Sequence, residues 1–157
     1  MLDLRKVSFG GTAALVTSMG LIVGLEATNA PEATLVGSLL IVALADNLTD
    51  ARGVHIYQEA ERLPQREALR TTVANFVARL CTALTFVLIV LAVPSLAVPL
   101  SLAWGVTLLG GLSYLIAKRR GVSPVSEIAK HLTAAFLVIL ASRLNGAWIP
   151  VISRGRT

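Results

Sequence analysis

Five apolar stretches, each about as long as one crossing of a lipid bilayer, limit most strongly how this chain can fold. They cover residues 7–25, 33–53, 72–93, 98–117 and 124–144. A helix needs about 20 apolar residues to cross about 30 Å of hydrocarbon. We therefore expect five transmembrane helices, over about residues 7–25, 33–57, 70–93, 98–118 and 124–144. The segments between them are short, so residues 1–157 are predicted to form a single all-α integral membrane domain.

Composition agrees with a membrane protein. The chain is 55% hydrophobic and its mean hydropathy is +0.74, which is unusual for a soluble domain of 157 residues. The first stretch is longer than a typical signal-peptide core, so we expect it to remain as a helix. The single cysteine, Cys81, excludes an internal disulfide, and we expect it to be a small buried apolar residue.

The basic residues predict how the helices are oriented. The formal net charge is +5, and Lys and Arg concentrate before the first stretch and in alternate connections. These residues are Arg5, Lys6, Arg62, Arg66, Arg70, Lys118, Arg119 and Arg120. The positive-inside rule then places the N-terminus in the cytoplasm and the C-terminus outside, although Arg154 and Arg156 oppose this. The positive-inside rule and attraction to anionic lipid account for the positive net charge, so we expect the lipid bilayer, and not nucleic acid, as the partner. We expect the protein to lie in a bacterial cytoplasmic membrane.

Local signals mark some helix ends and one packing surface. Ser123-Pro124 is typical of a helix start, Asn145-Gly146 of a helix end, and Trp148 of an interfacial anchor. Small residues recur every three or four positions in the first stretch, at Gly10, Ala13, Thr17, Gly20 and Gly24. Such a stripe permits close helix approach. We expect it to mediate a homodimer, with packing inside one chain as the alternative. Gly105, Gly110 and Gly111 suggest a second close contact.

The second stretch changes from apolar to acidic at Asp46. Asp50 follows four positions later, on the same helix face, and Asn47 adds an amide oxygen. Carboxylate and amide oxygens suit Mg²⁺, Ca²⁺ or Mn²⁺, and a buried pair of carboxylates can also hold a proton. Ionisable groups inside a membrane are costly and usually functional. The sequence therefore predicts a metal or proton site at Asp46, Asn47 and Asp50.

A structural role for these acids is the alternative. Arg52, Arg79, Lys130 or His131 could neutralise Asp46 and Asp50 as internal salt bridges. For Arg79 itself we expect a position at the membrane edge, with the side chain snorkelling to water. Accessory site residues are Thr49, His55, Glu59 and Arg79. No nucleotide-binding loop, catalytic triad or HExxH motif is present in the sequence, so we expect neither an enzyme nor a bound cofactor.

Three segments resemble one known family. Residues 15–24, LVTSMGLIVG, resemble part of the pattern G-x-x-D-G-[LI]-V-[ST]-x-x-G-[LI]-V-x-G. Residues 45–53, ADNLTDARG, resemble A-D-x-x-S-M-x-x-G-E-Y, and residues 110–124 are similar to a helix 4–5 loop. These patterns are those of the vacuolar iron transporter family. The resemblance implies a dimer of five-helix protomers that exports Fe²⁺ or Mn²⁺ from the cytosol in exchange for protons. It also implies a pathway at the dimer interface that involves helices 1 and 2.

The chain departs from the family at several positions. Ala13 stands where the family has aspartate, Asp50 where it has methionine, and Val54 where it has glutamate. The family's long cytoplasmic extension is absent between the second and third stretches. Asp46, Thr49 and Gly53 carry over from the family pattern.

Three functions follow from these observations. The first is a proton-coupled divalent metal transporter. The second is a non-transporting membrane scaffold or partner-binding protein that keeps the fold. The third is a transporter of another small cation, with Trp104 and Tyr114 offering aromatic faces.

Overall fold

The computed structural model describes the backbone of residues 4–154 and the side chains of residues 10–152. Within that range every regular element is helical. The elements are α1 Leu4–Glu26, α2 Glu32–Ile41, a π-helical turn Val42–Asp46, α3 Asn47–Ala60, α4 Gln65–Ala92, a 3₁₀ turn Pro94–Leu96, α5 Ala97–Arg120 and α6 Pro124–Arg154. Because α2, the π-turn and α3 form one continuous helix, Glu32–Ala60, the prediction of five helices is confirmed.

Four of these helices are long and apolar enough to cross a membrane: Glu32–Ala60, Gln65–Ala92, Pro94–Arg120 and Pro124–Ile152. The first helix contributes a shorter apolar segment, Gly10–Glu26. Large apolar side chains also cover the outside of the bundle, as at Leu48, Leu88 and Trp148, which are 65%, 65% and 66% exposed. A continuous apolar surface of this kind is stable in lipid and unfavourable in water. The chain is therefore an integral membrane protein by its helices and its surface.

Helix α1 occupies the centre of the bundle and packs against α2, α4, α5 and α6. Its buried side chains Leu15, Met19 and Ile22 meet Phe86 of α4 and Leu109 of α5 in the main apolar core. The contacts of His55 with Thr72, Thr85 with Trp104 and Ser113 with His131 show that α3, α4, α5 and α6 alternate in direction. The α3–α4 and α5–α6 connections therefore lie at the same end of the bundle.

Glycines let α1 approach its neighbours closely. A β-carbon on Gly10 would lie 2.6 Å from the backbone oxygen of Asn75 in α4. One on Gly20 would lie 3.0 Å from Oγ of Ser142 in α6, and one on Gly24 would lie 3.2 Å from the Ser142 backbone oxygen. Three members of the predicted stripe thus pack against other helices of the same protomer. This is the alternative that the sequence offered to a homodimer contact. Ala13 is half-buried, and Thr17 lines a groove of about 410 Å³ between α1 and α6.

Helix α6 begins at Pro124, as predicted, but its predicted end is wrong. The helix continues through Asn145 and Gly146 to Arg154. Gly146 is buried against the backbone carbonyl of Gly24 in α1, and a β-carbon there would collide with that oxygen. The glycine is therefore required for helix packing and does not cap the helix.

Two smaller predictions need correction. Cys81 is exposed, because it follows the buried Arg79 by two positions and so lies on nearly the opposite side of α4. Gly105 makes the expected close contact, with Met19, but Gly110 and Gly111 have no described atom within 4 Å of a β-carbon position. The side chains of Arg5, Lys6, Arg154 and Arg156, whose charges bear on the predicted orientation, lie outside the described residues.

Candidate functional site

The acidic residues of the second membrane-spanning helix lie where its regular winding is interrupted. The backbone N–H of Asn47 donates to Leu44 and Val42, so the turn Val42–Asp46 is wound as a π-helix. A π-turn adds one residue to a helical turn and rotates the following side chains relative to a regular α-helix. Thr49 donates its hydroxyl to the Ala45 carbonyl oxygen at 3.0 Å, which pairs a carbonyl of that turn. Such turns often occur at functional sites.

Arg79 of α4 joins the two carboxylates that follow this turn. Its Nη1 group donates to Asp50 Oδ2, and its Nη2 group donates to Asp46 Oδ2. The Arg79 side chain is 4% exposed, whereas those of Asp46 and Asp50 are 49% and 37% exposed. The predicted snorkelling of Arg79 is therefore wrong, because two carboxylates on the facing helix supply the charge partners that water would otherwise provide.

The acid–arginine cluster is defined as Asp46, Asp50 and Arg79. The formal charges of its three side chains sum to −1. Arg79 contacts one oxygen of each carboxylate, so each Oδ1 atom is left for another ligand. Of the candidate counter-ions, Arg79 alone contacts these acids: Lys130 pairs with Glu127, His131 contacts Ser113, and Arg52 is exposed.

Asn47 lies against the backbone of α4 next to the cluster. Its Nδ2 group donates to the Phe76 carbonyl oxygen at 2.9 Å. The residue is 0% exposed, and its Oδ1 atom has no hydrogen-bond partner within the described part of the chain. The structure thus brings the three predicted metal ligands, Asp46, Asn47 and Asp50, to one contact with α4. Arg79 of α4 is bound to the two acids.

Asn75 is a polar residue of this region that the sequence reasoning missed. It is 2% exposed, and neither its Oδ1 nor its Nδ2 atom has a partner among the described residues. A buried amide without a partner costs about 1–3 kcal/mol. The available signal was its position four residues before Arg79, within an otherwise apolar stretch, because residues four apart share one helix face.

The accessory residues His55 and Glu59 lie further along α3. His55 Nε2 is 3.4 Å from Glu59 Oε1, and His55 Nδ1 is 3.4 Å from Thr72 Oγ1 on α4. Their polar contacts are thus with each other and with Thr72, and not with the acid–arginine cluster. The predicted accessory role of this pair has no direct contact to support it.

A second polar cluster connects α5 and α6. The Ser113 hydroxyl donates to the Leu109 carbonyl oxygen at 2.6 Å and is 2.8 Å from His131 Nδ1. We expect Nδ1 of His131 to be the donor to Ser113 Oγ, because the hydroxyl proton is already directed at Leu109. Near it, Glu127 Oε1 accepts from Lys130 Nζ at 3.0 Å, and Glu127 Oε2 lies 3.6 Å from Arg120. These contacts stabilise the α5–α6 turn.

Within residues 10–152, no three His, Cys, Asp or Glu side chains are grouped so that together they could hold a metal ion. No protein-family model, curated protein or solved structure matches this chain.

Proposed function

We propose that this chain is a membrane transporter of divalent cations of the Fe²⁺ and Mn²⁺ class. It exports them from the cytosol in exchange for protons, as a homodimer in a bacterial cytoplasmic membrane. The observation that carries the proposal is the acid–arginine cluster, which lies at a π-helical turn inside a helix long enough to span a bilayer. Charged groups at such positions are costly and are kept mainly where a membrane protein moves ions or protons.

The geometry of the cluster suits reversible cation binding. Arg79 acts as a built-in counter-ion that keeps both carboxylates paired when no cation is present. The remaining negative charge attracts a cation, and the half-exposed carboxylates give it access. A divalent cation that takes the Oδ1 atoms weakens the hold of Arg79 on Oδ2, because the two positive charges repel. The cluster thus has two alternative charge partners, which is what a transport cycle requires.

The resemblance to the vacuolar iron transporter family gives the cation class and the direction of transport. Asp46, Thr49 and Gly53 are the residues that match its second-helix pattern. Asp50 replaces a soft methionine ligand by a hard carboxylate, so we expect Mn²⁺ to be favoured over softer ions.

Flux measurements on the purified protein in proteoliposomes test the proposal. We expect the wild type to carry Mn²⁺, Fe²⁺ or Co²⁺ and to move protons in the opposite direction. Asp46→Asn and Asp50→Asn should each reduce Mn²⁺ flux at least ten-fold. Glu61→Gln, at an exposed position in the α3–α4 turn, is the matched control. Wild-type flux in both aspartate variants would reject the assigned site.

A non-transporting scaffold or partner-binding protein is the second candidate. The contact of Arg79 with Asp46 and Asp50 favours this candidate too. Arg79 pairs with one oxygen of each acid, and holding α3 against α4 is then a sufficient role for the three residues. The two candidates differ in ligand-dependent stability. A cation present at 100 times its dissociation constant stabilises the folded state by about 2.7 kcal/mol. For a scaffold, we expect no rise in the unfolding temperature with Mn²⁺. For a transporter of another small cation, we expect the unfolding temperature to rise with that cation and not with Mn²⁺.

A further inference from the structure

The two helix connections at one end of the bundle differ in their balance of charge. Residues 59–70, around the α3–α4 connection, include three basic and three acidic residues. Residues 118–130, around the α5–α6 connection, include one acid, Glu127, and four bases, Lys118, Arg119, Arg120 and Lys130. The positive-inside rule counts basic residues and does not require that acids be absent beside them. Of these two connections, only the second therefore has an excess of positive charge.

One buried carboxylate holds two of these cations. Glu127 Oε1 accepts from Lys130 Nζ at 3.0 Å, and Glu127 Oε2 lies 3.6 Å from Arg120 Nη1. The Glu127 side chain is 11% exposed, whereas those of Arg120 and Lys130 are 62% and 67% exposed. A single negative charge thus positions one base from each helix at the surface and leaves their combined charge positive. Positioning the bases in advance reduces the entropy that they lose when a ligand binds.

Lys118 and Arg119 add two further cations at the end of α5. Both are exposed, and neither has a hydrogen bond or ion pair with the described part of the chain. Lys118 follows the exposed Tyr114 by four positions, and Arg119 follows the exposed Leu115 by four. Residues four apart share one helix face. The outer face of α5 therefore changes from apolar to cationic within its last turns, which end at Arg120.

We propose that the α5–α6 basic site, defined as Lys118, Arg119, Arg120 and Lys130, binds the phosphate of an anionic phospholipid. The order of groups along α5 matches that of a phospholipid, whose acyl chains lie along an apolar surface and whose phosphate lies at its end. Guanidinium and ammonium groups bind phosphate oxygens through charge-assisted hydrogen bonds. Basic pockets between membrane helices bind headgroups of this class. This inference is independent of the proposed cation transport.

The excess charge and the apolar surface together specify the ligand. A zwitterionic headgroup carries its own ammonium group, so it compensates less of the excess positive charge than an anionic headgroup does. Inorganic phosphate supplies negative charge but has no acyl chain to cover Tyr114, Leu115 or Val125, which are exposed on α5 and at the start of α6. We therefore expect phosphatidylglycerol to bind more tightly than phosphatidylcholine or inorganic phosphate.

Native mass spectrometry of the purified full-length chain in detergent tests the inference. Phosphatidylglycerol and phosphatidylcholine with the same acyl chains are titrated in parallel, so that only the headgroup differs. We expect the wild type to bind phosphatidylglycerol at least ten-fold more tightly. Lys118→Gln/Arg119→Gln should remove most of this preference, because each basic residue near the membrane surface adds to the attraction of anionic lipid. Arg62→Gln/Arg66→Gln, which removes the same charge from exposed positions at the α3–α4 connection, is the matched control and should keep the preference.

The wild type alone can overturn the inference, by binding the two lipids equally. Equal losses in the two double variants would also overturn it, because they would show that only the net charge matters. The same holds if Lys118→Gln/Arg119→Gln keeps the wild-type preference. An excess of inorganic phosphate, compared with sodium chloride at the same ionic strength, separates a lipid from a free anion. We expect equal phosphatidylglycerol binding in both salts, and selective displacement by phosphate would assign the site to free phosphate instead.

Discussion

Arg79 of α4 and Asp50 of α3 form an ion pair across a helix contact, although they are 29 positions apart in the chain. The Arg79 side chain is 4% exposed and the Asp50 side chain 37% exposed. Water can therefore solvate the carboxylate but not the guanidinium, whose charge is balanced only by the acids. An unpaired charge buried in protein is strongly destabilising. The pair therefore links the proposed cation chemistry to the stability of the α3–α4 contact.

Removing the acids one at a time should be tolerated, and removing both should not. We expect Asp50→Asn to lower the free energy of unfolding by about 1 kcal/mol, because Arg79 keeps Asp46 and the acids are half-exposed. The double variant Asp46→Asn/Asp50→Asn should lose about 3–5 kcal/mol, because it leaves Arg79 buried without a counter-charge. Adding Arg79→Met should restore part of this loss. Chemical denaturation in detergent measures these values, and strictly additive losses would contradict the shared pairing.

Helix α6 should not tolerate a β-carbon where it crosses α1. We expect Gly146→Ala to destabilise the protein by about 1–3 kcal/mol, because the added carbon overlaps the Gly24 carbonyl oxygen. Gly110→Ala, on α5, meets open space and should be neutral or stabilise by up to about 1 kcal/mol. Thermal unfolding of the two variants makes the comparison. Equal unfolding temperatures would show that the α1–α6 contact is looser than described.

The contact between Ser113 and His131 predicts a tautomer. Because the serine hydroxyl donates to Leu109, we expect neutral His131 to carry its proton on Nδ1. Ser113→Ala removes this acceptor and should shift the population toward the Nε2–H form. Nitrogen-15 NMR of labelled histidine distinguishes the two tautomers. An Nε2–H form in the wild type would require the serine to donate to the imidazole instead.

The orientation of the bundle can be tested with single cysteines in a Cys81→Ala background. Ser95 lies in the exposed turn before α5, and Ser123 lies in the exposed turn after it, at the opposite end of that helix. We expect a membrane-impermeant maleimide to label Ser95→Cys, but not Ser123→Cys, on intact cells. Disruption of the membrane should allow both to react. The reverse pattern would place the basic connections outside.

The lengths of the apolar segments predicted the five helices correctly, because a segment of about 20 apolar residues has few stable alternatives to a helix in lipid. Helix ends were harder. The Asn145-Gly146 pair has the chemistry of a helix end, yet Gly146 lies in mid-helix because α1 needs its missing side chain. Which role a glycine takes depends on a neighbour that local sequence does not contain.

The candidate site shows the same division. Asp46, Asn47 and Asp50 were identifiable because polar groups interrupt an apolar run at helical spacing. The pairing of the two acids with Arg79 was one of several open alternatives, since four basic residues lay within plausible reach. The π-helical turn had no local signal, and the position of Asn75 four residues before Arg79 did not show that its amide would be unpaired.

By itself the sequence determined a five-helix membrane protein with acidic residues in its second membrane-spanning helix, because hydrophobic length and helical period are local properties of the chain. Only the tertiary structure decided which charges meet, which glycines contact a neighbouring backbone, and which amides are left without partners. Those outcomes depend on how α1 and α4 pack against residues distant in the chain, and a pairing between distant residues is not encoded in any single segment.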